Sequence, residues 1–346
     1  MKHQDYFYFN QPYALESGGQ LPGFQLHYTT LGTLNESGTN VIWVCHALTG
    51  NSDVTEWWAD LFGEGKLYDP NYYFIVCANM LGSCYGSTGP LSMNPRTQTP
   101  YYHSFPVLTN RDIVGAFDLL REHLGVASVH TLIGSSLGGQ QVLEWSVQQP
   151  RLFENIIVIA SNALHSPWGI AFNETQRMAI EQDSTWRLNI DEAGREGMKT
   201  ARAVALLSYR HYRTYLQTQS EENDEKTDRF KAASYQQYQG EKLSKRFNAY
   251  TYWYLSKAMD SHNVGRNRGG IPAALEKVEA NAFLLGITSD LLFPPAEQQF
   301  IAKHISNSQF EVIDSSYGHD GFLLEFNHLR SSIRAFYRSF NISVNL

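Results

Sequence analysis

The residues best suited to chemistry in this chain form a short motif rich in glycine and serine. Gly134, Ser136 and Gly138 have the G-x-S-x-G spacing, in which a serine occupies a sharp turn between a strand and a helix. Residues 129–133 resemble a buried parallel strand, and residues 140–147 form a helix-prone run. Glycine neighbours leave space for the strained serine, and the N-terminus of the helix favours negative charge beside it. The pattern therefore predicts a catalytic nucleophile at Ser136.

The neighbouring serine is the alternative nucleophile, and the spacing decides against it. Ser136 has glycine two residues before and two residues after, whereas Ser135 would have Ile133 and Leu137 in those places. A chance match of this spacing in a loop is disfavoured by the strand before it and the helix after it. Because a serine hydroxyl is a weak nucleophile at neutral pH, it requires a base and a group that orients the base.

An acid and a histidine follow the serine in the order that this kind of turn requires. Asp290 comes shortly after the predicted strand 282–287, and His319 follows the predicted strand 310–313. Both positions are loops at the carboxyl ends of strands, where open α/β sheets place their sites. We therefore predict a catalytic triad of Ser136, Asp290 and His319.

Two points limit the choice of these partners. The chain has 12 histidines, so His319 is singled out by its location and not by its residue type. Asp314 is the main alternative acid, but it is too close to the strand end that precedes His319 to be placed independently. For this reason we prefer Asp290.

Backbone amides are expected to stabilise the oxyanion of the reaction. The first is the N–H of Leu137, directly after the nucleophile, and the second is the N–H of Leu48 in the loop 46–50, which follows the predicted strand 41–45. Loss of one such donor raises a barrier by roughly 3–4 kcal/mol. Side-chain substitutions at these leucines would not test the role, because the donors belong to the main chain.

The elements that must position these residues form an interrupted alternation of strands and helices. Strands alternate with helices up to about residue 165, which predicts a mostly parallel sheet covered on both faces. From 166 to 272 no convincing strand is present, and this segment is interpreted as an inserted helical lid. Strands return after 273. We therefore predict an α/β fold with core segments 1–165 and 273–346 around a lid at 166–272.

Composition excludes several classes of function. The formal net charge of −7 argues against a nucleic-acid surface, and no stretch is long and apolar enough to span a membrane. No metal site is expected. Cys45 and Cys77 lie in apolar runs, while Cys84 lies in a glycine-rich loop, where we favour packing over a reactive role. Three cysteines in such settings predict reduced thiols in a cytoplasmic protein.

Several segments together resemble one enzyme family, the homoserine O-acetyltransferases, which are α/β-hydrolase-fold acyltransferases of methionine biosynthesis. The resemblance covers nearly the whole chain. One departure is Ser135, where the family usually has glycine. The segments that carry the resemblance are 46–50, 79–90, 134–139, 205–210, 254–260, 289–294 and 318–323.

The resemblance implies a reaction in two steps with acetyl-CoA and L-homoserine as substrates and no further cofactor. Ser136 would take the acetyl group, with His319 as the base, and the homoserine hydroxyl would then accept it. Arg210 would bind the homoserine carboxylate, and Asp320 its ammonium. The family also suggests a homodimer formed through the lid.

The sequence is also compatible with other functions. A succinyl donor or a serine acceptor would leave the triad unchanged, and a hydrolase of small esters would use the same three residues. A binding protein without activity is less consistent with the chain, because it would not need all of Ser136, Asp290 and His319.

Overall fold

The computed structural model of the chain describes residues 2–342 and is organised around one eight-stranded sheet. The strands of this sheet are β1 (Lys2–Phe9), β2 (Phe24–Leu31), β3 (Val41–Cys45), β4 (Phe74–Ala78), β5 (Val129–Ser135), β6 (Phe153–Ile159), β7 (Asn281–Ile287) and β8 (Ser308–Ile313). Two small hairpins of two-residue strands pair Tyr13–Ala14 with Gln20–Leu21 and Met93–Asn94 with Thr99–Pro100.

The strand order places most carboxyl ends at one edge of the sheet. The order is β1-β2-β4-β3-β5-β6-β7-β8. Only β2 runs against its neighbours, pairing antiparallel with β1 and with β4. The remaining neighbours pair in parallel, as predicted for a mostly parallel sheet. Loops that follow β3, β5, β6, β7 and β8 therefore meet at a common edge.

Helices cover both faces of the sheet and fill the inserted segment. They are α1 (Val54–Trp57), α2 (Asn110–His123), α3 (Leu137–Gln148), α4 (Pro167–Glu181), α5 (Arg195–Tyr209), α6 (Tyr212–Gln219), α7 (Lys231–Ser244), α8 (Ala249–Asp260), α9 (Ile271–Leu275), α10 (Pro295–His304) and α11 (Phe326–Ser339). Short 3-10 turns occur at Tyr102–Ser104 and Gly318–Leu323. Helices α4 to α8 lie in the segment interpreted as the lid, and α9 straddles its predicted end at residue 272.

Side chains of the buried strands point alternately to the two faces of the sheet and form two apolar layers, one on each face. In β3, Trp43 and Cys45 pack in the layer that contains Phe117 of α2, whereas Ile42 packs in the other layer, with Phe336 of α11. Because side chains of a strand point alternately to its two faces, a strand that is apolar throughout must be covered on both.

Local signals explain where the helix before the serine motif begins. From the sequence, either Thr109 or Asn110 is expected to be the N-cap residue of α2, because both residue types favour that position. The structure selects Thr109, whose hydroxyl accepts the amide of Asp112 while the Asp112 carboxylate accepts the amide of Thr109. This reciprocal arrangement satisfies two amides that the first turn would otherwise leave unpaired.

Two elements differ from the sequence-based expectation. Helix α10 is not predicted by the sequence, because it begins at the second of two consecutive prolines and has little apolar periodicity. The sequence predicts a last helix roughly from Phe322 to Phe340, but α11 begins only at Phe326, because Gly318–Leu323 winds into a 3-10 turn first. Within residues 2–342, none of the helices combines the length and the apolar character needed to cross a bilayer.

Candidate active site

Ser136 lies at the junction of β5 and α3 in a strained backbone conformation. Its φ is 55° and its ψ is −125°, a region that residues with side chains rarely adopt. Ser136 is the N-cap residue of α3, yet its side chain makes no capping hydrogen bond. The hydroxyl is therefore available for other chemistry at the positive end of the helix.

The glycines around Ser136 are required by close backbone contacts. A Cβ atom on Gly134 would lie 2.5 Å from the carbonyl oxygen of Gly138, and one on Gly138 would lie 2.1 Å from the carbonyl oxygen of Cys45. Real side chains do not tolerate such distances. The G-x-S-x-G spacing thus reflects how tightly the turn folds against its own helix and against the end of β3.

A hydroxyl from the neighbouring strand supports the strained serine. Ser161, which follows β6, donates from its Oγ to the carbonyl oxygen of Ser136 at 2.7 Å. The amide of Ser136 donates to the carbonyl oxygen of Ile159 at 3.0 Å. Sequence reasoning missed Ser161. Its position at the carboxyl end of a strand was the only available signal. Ser135, the rejected alternative nucleophile, is buried with its hydroxyl unpaired.

Asp290 and His319 meet across the loops that follow β7 and β8. Nδ1 of His319 lies 2.7 Å from Oδ2 of Asp290, and both side chains are buried. The other carboxylate oxygen accepts the amides of Leu292 at 2.8 Å and Phe293 at 2.9 Å. Since Nδ1–H donates to the carboxylate, Nε2 is left as the basic nitrogen that a general base requires.

Aromatic side chains surround the imidazole and fix its plane. The ring centroid of His319 lies 5.1 Å from that of Phe293, 5.2 Å from that of Phe322 and 5.6 Å from that of Tyr209. Asp314, the alternative acid, instead accepts the hydroxyl of Thr288 at 3.0 Å. The structure therefore brings Asp290, and not Asp314, to the histidine.

The nucleophile and the base share the same edge of the sheet. Ser136 follows β5, and the loops with Asp290 and His319 follow β7 and β8, with only β6 between. Among the described residues, Ser136 Oγ and His319 Nε2 are not joined by a hydrogen bond. Catalytic hydrogen bonds are often long in substrate-free structures and shorten in the reactive complex.

The amides of Leu48 and Leu137, the donors expected for an oxyanion hole, have no acceptor within residues 2–342. Both residues are buried. Buried amides without a partner are rare, because each costs about as much as a lost hydrogen bond. This pair therefore supports the predicted role of the two N–H groups.

The loop that carries Leu48 is supported by a buried histidine that sequence reasoning did not single out. Nδ1 of His46 lies 2.8 Å from the carbonyl oxygen of Ala47, and its Nε2 accepts the amide of Met80 at 3.4 Å. Burial lowers the pKa of His46 to about 4. The ring is therefore neutral at physiological pH, and it can donate on one side while it accepts on the other.

Arg210 and Asp320 form an ion pair beside the triad. Arg210 Nε lies 2.8 Å from Asp320 Oδ2, but its N–H does not point at that oxygen, and the atom is buried without a hydrogen bond. Gly318 makes the approach possible. Its φ is 67°, and a Cβ there would lie 2.7 Å from the carbonyl oxygen of Tyr209. The guanidinium thus retains hydrogen-bonding capacity next to a carboxylate.

A carboxyl group on α10 lies near the triad acid and is predicted to make stability depend on pH. Burial raises the pKa of Glu297 to about 7, and the charge of Asp290 adds to the rise. Its Oε2 atom is buried without a partner. In the folded protein the Glu297 carboxyl therefore stays protonated up to about pH 7, whereas in the unfolded chain it loses its proton near the ordinary pKa of 4.5. The contribution of Glu297 to the free energy of unfolding is therefore greatest below pH 4.5 and is lost as the pH rises through 7.

We expect the variant Glu297→Gln to gain thermal stability over the original chain as the pH is raised from 5 to 8, because a neutral amide has no charge to bury. Melting temperatures of both proteins at the two pH values measure this. Glu276→Gln, at an exposed glutamate, is the control and should show no such trend. An equal difference in melting temperature at pH 5 and pH 8 would contradict the assignment.

The described residues hold no cluster of three or more His, Cys, Asp or Glu side chains that could bind a metal ion. The three cysteines are free thiols. Burial raises the pKa of Cys84 to about 11, so at neutral pH this thiol is protonated and a poor nucleophile.

Comparisons with known proteins give consistent results. A family model described as alpha/beta hydrolase fold matches residues 40–326. The homoserine O-acetyltransferase of Cyclobacterium marinum is 54% identical over 334 residues, which cover 96% of this chain and 95% of that protein. The homoserine O-acetyltransferase of Trichormus variabilis is 41% identical over 341 residues, which cover 98% and 95% of the two chains.

Solved structures share the same architecture. Homoserine O-acetyltransferase from Staphylococcus aureus superposes with a TM-score of 0.81 at 27% identity and covers 100% of this chain and 97% of its own. Esterase E22 superposes with a TM-score of 0.88 at 22% identity, covering 97% and 100%. At that identity, the likeness to the esterase shows the α/β-hydrolase fold alone.

Proposed function

The chain belongs to the homoserine O-acetyltransferase family, and on that premise we propose that it transfers an acetyl group from acetyl-CoA to the side-chain hydroxyl of L-homoserine. The observation that carries the choice of acceptor is the ion pair of Arg210 with Asp320 beside His319. A free amino acid presents a carboxylate and an ammonium, and this pair offers one complementary charge to each. An esterase of small neutral esters would have no use for such a pair.

In the first step, the acetyl group moves to the enzyme. The hydroxyl of Ser136 gives its proton to Nε2 of His319 as Oγ attacks the thioester carbonyl, and the amides of Leu48 and Leu137 stabilise the oxyanion. The carbon–sulfur bond then breaks, and the imidazolium returns the proton to the leaving thiolate. Asp290 holds the imidazole in the required tautomer throughout.

In the second step, the acetyl group moves to the acceptor. The homoserine hydroxyl gives its proton to His319 and attacks the acetyl-serine ester, and Ser136 leaves with that proton restored. Arg210 binds the carboxylate of the amino acid, and Asp320 binds its ammonium. Acetyl-CoA is a co-substrate of this scheme, which requires no bound cofactor.

Transfer must prevail over hydrolysis of the acetyl-serine. Water competes for any acyl-enzyme, so the acceptor must be held close and oriented. Fixed charges at the site favour homoserine by proximity, since they raise its local concentration beside the ester.

A panel of donors and acceptors tests the proposal. We expect rapid turnover with acetyl-CoA and homoserine, slower turnover with succinyl-CoA or serine, and little release of acetate in water alone. Double-reciprocal plots should be parallel, as required for a covalent intermediate. Intersecting lines would contradict the acetyl-enzyme, and fast acetate release without homoserine would identify a hydrolase instead.

We expect Arg210→Ala to weaken homoserine binding selectively. Losing a charged hydrogen-bond partner costs about 1.5–3 kcal/mol, which corresponds to a KM for homoserine roughly 10- to 100-fold higher. Steady-state rates at saturating acetyl-CoA measure the change. Arg213→Ala, at an exposed arginine that makes no ion pair with the described residues, is the matched control. An unchanged homoserine dependence in Arg210→Ala would remove this residue from the site.

We also propose that the protein acts in the cytoplasm as a homodimer formed through the lid. The free thiols support a reducing compartment. Large apolar side chains that are exposed on the lid support an interface there. They include Trp168, Leu207, Tyr212 and Tyr238. Sedimentation equilibrium should give twice the chain mass. A single chain mass at micromolar concentration would contradict the dimer.

A further inference from the structure

A second arginine of the lid lies close to the predicted base and has no role in the scheme above. Arg202 is in α5, about two helical turns before Tyr209. Its guanidinium carbon lies 5.4 Å from the ring centroid of Tyr209. The same ring lies 5.6 Å from the imidazole of His319, centroid to centroid. Arg202 and His319 therefore contact the same tyrosine ring.

The ring of Tyr209 is held in place by other lid helices. Its hydroxyl lies beside that of Tyr252 in α8. Tyr252 is fully buried, and its hydroxyl donates to Oε1 of Gln176 in α4. Because three helices converge on Tyr209, its ring is a firm support, and the guanidinium that packs on it stays at a defined distance from the base.

The charge of Arg202 reaches the ion pair of Arg210 with Asp320, called the acceptor pair below. Burial raises the pKa of Tyr215 in α6, and the charges of Arg202, Arg210 and Asp320 also act on its hydroxyl. Burial likewise raises the pKa of Tyr209, where the charges of Arg202 and Asp320 oppose each other. Since screening by salt limits such effects to about 10 Å, Arg202 belongs to the same cluster of charges as the acceptor pair.

The guanidinium of Arg202 lacks an anionic partner in the described chain. It is partly buried, yet with residues 2–342 it makes neither an ion pair nor a hydrogen bond. The buried Arg177 of α4, by contrast, pairs with Glu174 and Asp260. Removing a cation from water is costly without a counter-charge, and contact with an aromatic ring offsets only part of that cost. Five N–H donors are therefore left for an anion that the chain itself does not supply.

The free cation gives the cluster a direction that the acceptor pair lacks. Arg210 and Asp320 lie 2.8 Å apart and largely cancel each other's charge at a distance. Arg202 adds one uncompensated positive charge on the side of the lid. An amino acid that enters as a zwitterion is thus expected to turn its carboxylate toward Arg202, because complementary charges set the orientation of a ligand.

We propose that Arg202 determines acceptor specificity by binding the carboxylate of the amino acid together with Arg210. The inference rests on the proposed transfer to homoserine and adds a second ligand for its carboxylate. The two oxygens of a carboxylate can accept from two guanidinium groups. A carboxylate that is held from two directions cannot rotate freely, which keeps the acceptor hydroxyl aimed at His319. Alcohols without a carboxylate lose this orientation.

The test divides homoserine into its two charged halves. The competitive inhibitors are 4-hydroxybutanoate, which lacks the ammonium, and 3-aminopropan-1-ol, which lacks the carboxylate. The variants of the full-length protein are Arg202→Gln and Arg202→Lys, with Arg195→Gln, at the exposed first residue of the same helix, as the control. The measured quantities are Ki for each inhibitor against homoserine, KM for homoserine and KM for acetyl-CoA.

We expect Arg202→Gln to raise KM for homoserine and Ki for 4-hydroxybutanoate about tenfold, the loss of one charged hydrogen bond. Ki for 3-aminopropan-1-ol and KM for acetyl-CoA should stay within twofold. Arg202→Lys should recover part of the affinity, because it keeps the charge without the planar fork. Arg195→Gln should leave all four constants unchanged.

Several results would overturn the assignment. Equal rises in both Ki values would show that Arg202 only supports the lid. A rise in KM for acetyl-CoA alone would mean that the guanidinium binds the donor instead. Constants that do not move, or a 4-hydroxybutanoate that fails to compete in the protein without substitutions, would exclude a role in carboxylate binding. Should Arg202→Gln fail to fold, the same comparison of Ki values in Arg202→Lys decides the question.

The outcome separates this inference from the proposed function. If the protein without substitutions does not transfer acetyl to homoserine, the proposed function is wrong and the inference fails with it. If it does transfer acetyl, and Arg202→Gln does not distinguish the two inhibitors, only the role of Arg202 is wrong.

Discussion

Replacing Ser136 with alanine is expected to lower kcat for acetyl transfer by about 10⁴- to 10⁶-fold. The alanine keeps the turn between β5 and α3 but removes the atom that would carry the acetyl group. Rates with acetyl-CoA and homoserine measure the loss. In addition, intact-protein mass spectrometry after incubation with acetyl-CoA alone should find one acetyl group on the protein with its original Ser136. It should find none on the Ser136→Ala variant.

The neighbouring serine provides the matched control. Ser135 is the last residue of β5 and is fully buried, with its hydroxyl unpaired. The hydroxyl of Ser135 is therefore not accessible to a substrate. We expect Ser135→Ala to keep an acetylated intermediate and most of the activity. Retained turnover in Ser136→Ala, or acetylation of Ser135 in the protein without substitutions, would refute the choice of nucleophile.

Replacing Asp290 with asparagine should lower kcat by about 10³- to 10⁴-fold. The carboxylate accepts Nδ1–H of His319 and the amides of Leu292 and Phe293. An asparagine oxygen can still accept those two amides, which turns its NH₂ group toward the imidazole. The ring would then accept at Nδ1 and carry its proton on Nε2, where it cannot take a proton from Ser136.

The alternative acid tests this assignment directly. Asp314 bonds to Thr288 and not to the histidine, so Asp314→Asn should keep activity within a few-fold of the original protein. Melting temperatures of both variants check that neither loss comes from unfolding. A loss in Asp314→Asn as large as that in Asp290→Asn would contradict the arrangement that the structure shows.

Much of the architecture was predictable because the signals are local. The alternation of apolar runs with helix-prone segments predicted the mostly parallel sheet and the helical insertion. Strand β3 was predicted with its observed bounds, Val41–Cys45. Helix α10 escaped prediction, since its apolar face is formed by few residues. The 3-10 turn before α11 also escaped, because its form depends on how Gly318 packs against the end of α5.

The positions proposed for catalysis were also readable from the chain, whereas several of their supports were not. The side chain of Ser161 contacts the carbonyl oxygen of Ser136, and that of His46 contacts the carbonyl oxygen of Ala47. The side chain of Arg246 contacts the carbonyl oxygen of Thr49. Nothing in the residue type of a lone serine, histidine or arginine marks such a role. Their contacts are made with main-chain atoms, which every residue possesses, so no spacing in the sequence reports them.

The sequence alone predicted the turn at Ser136, and the contact that excludes a side chain at Gly134 arises within the turn itself, with the carbonyl oxygen of Gly138. The contact that excludes a side chain at Gly138 is with Cys45 of β3, so it depends on the tertiary structure. The sequence favoured Asp290 over Asp314, but only the tertiary structure brought Asp290 into contact with His319, and only it joined Arg210 to Asp320. Those pairs come from segments far apart in the chain, and their distances depend on how separate loops and helices pack. Steric constraints between neighbouring residues follow directly from the residue types in the sequence. Contacts between distant segments form only once the core has folded.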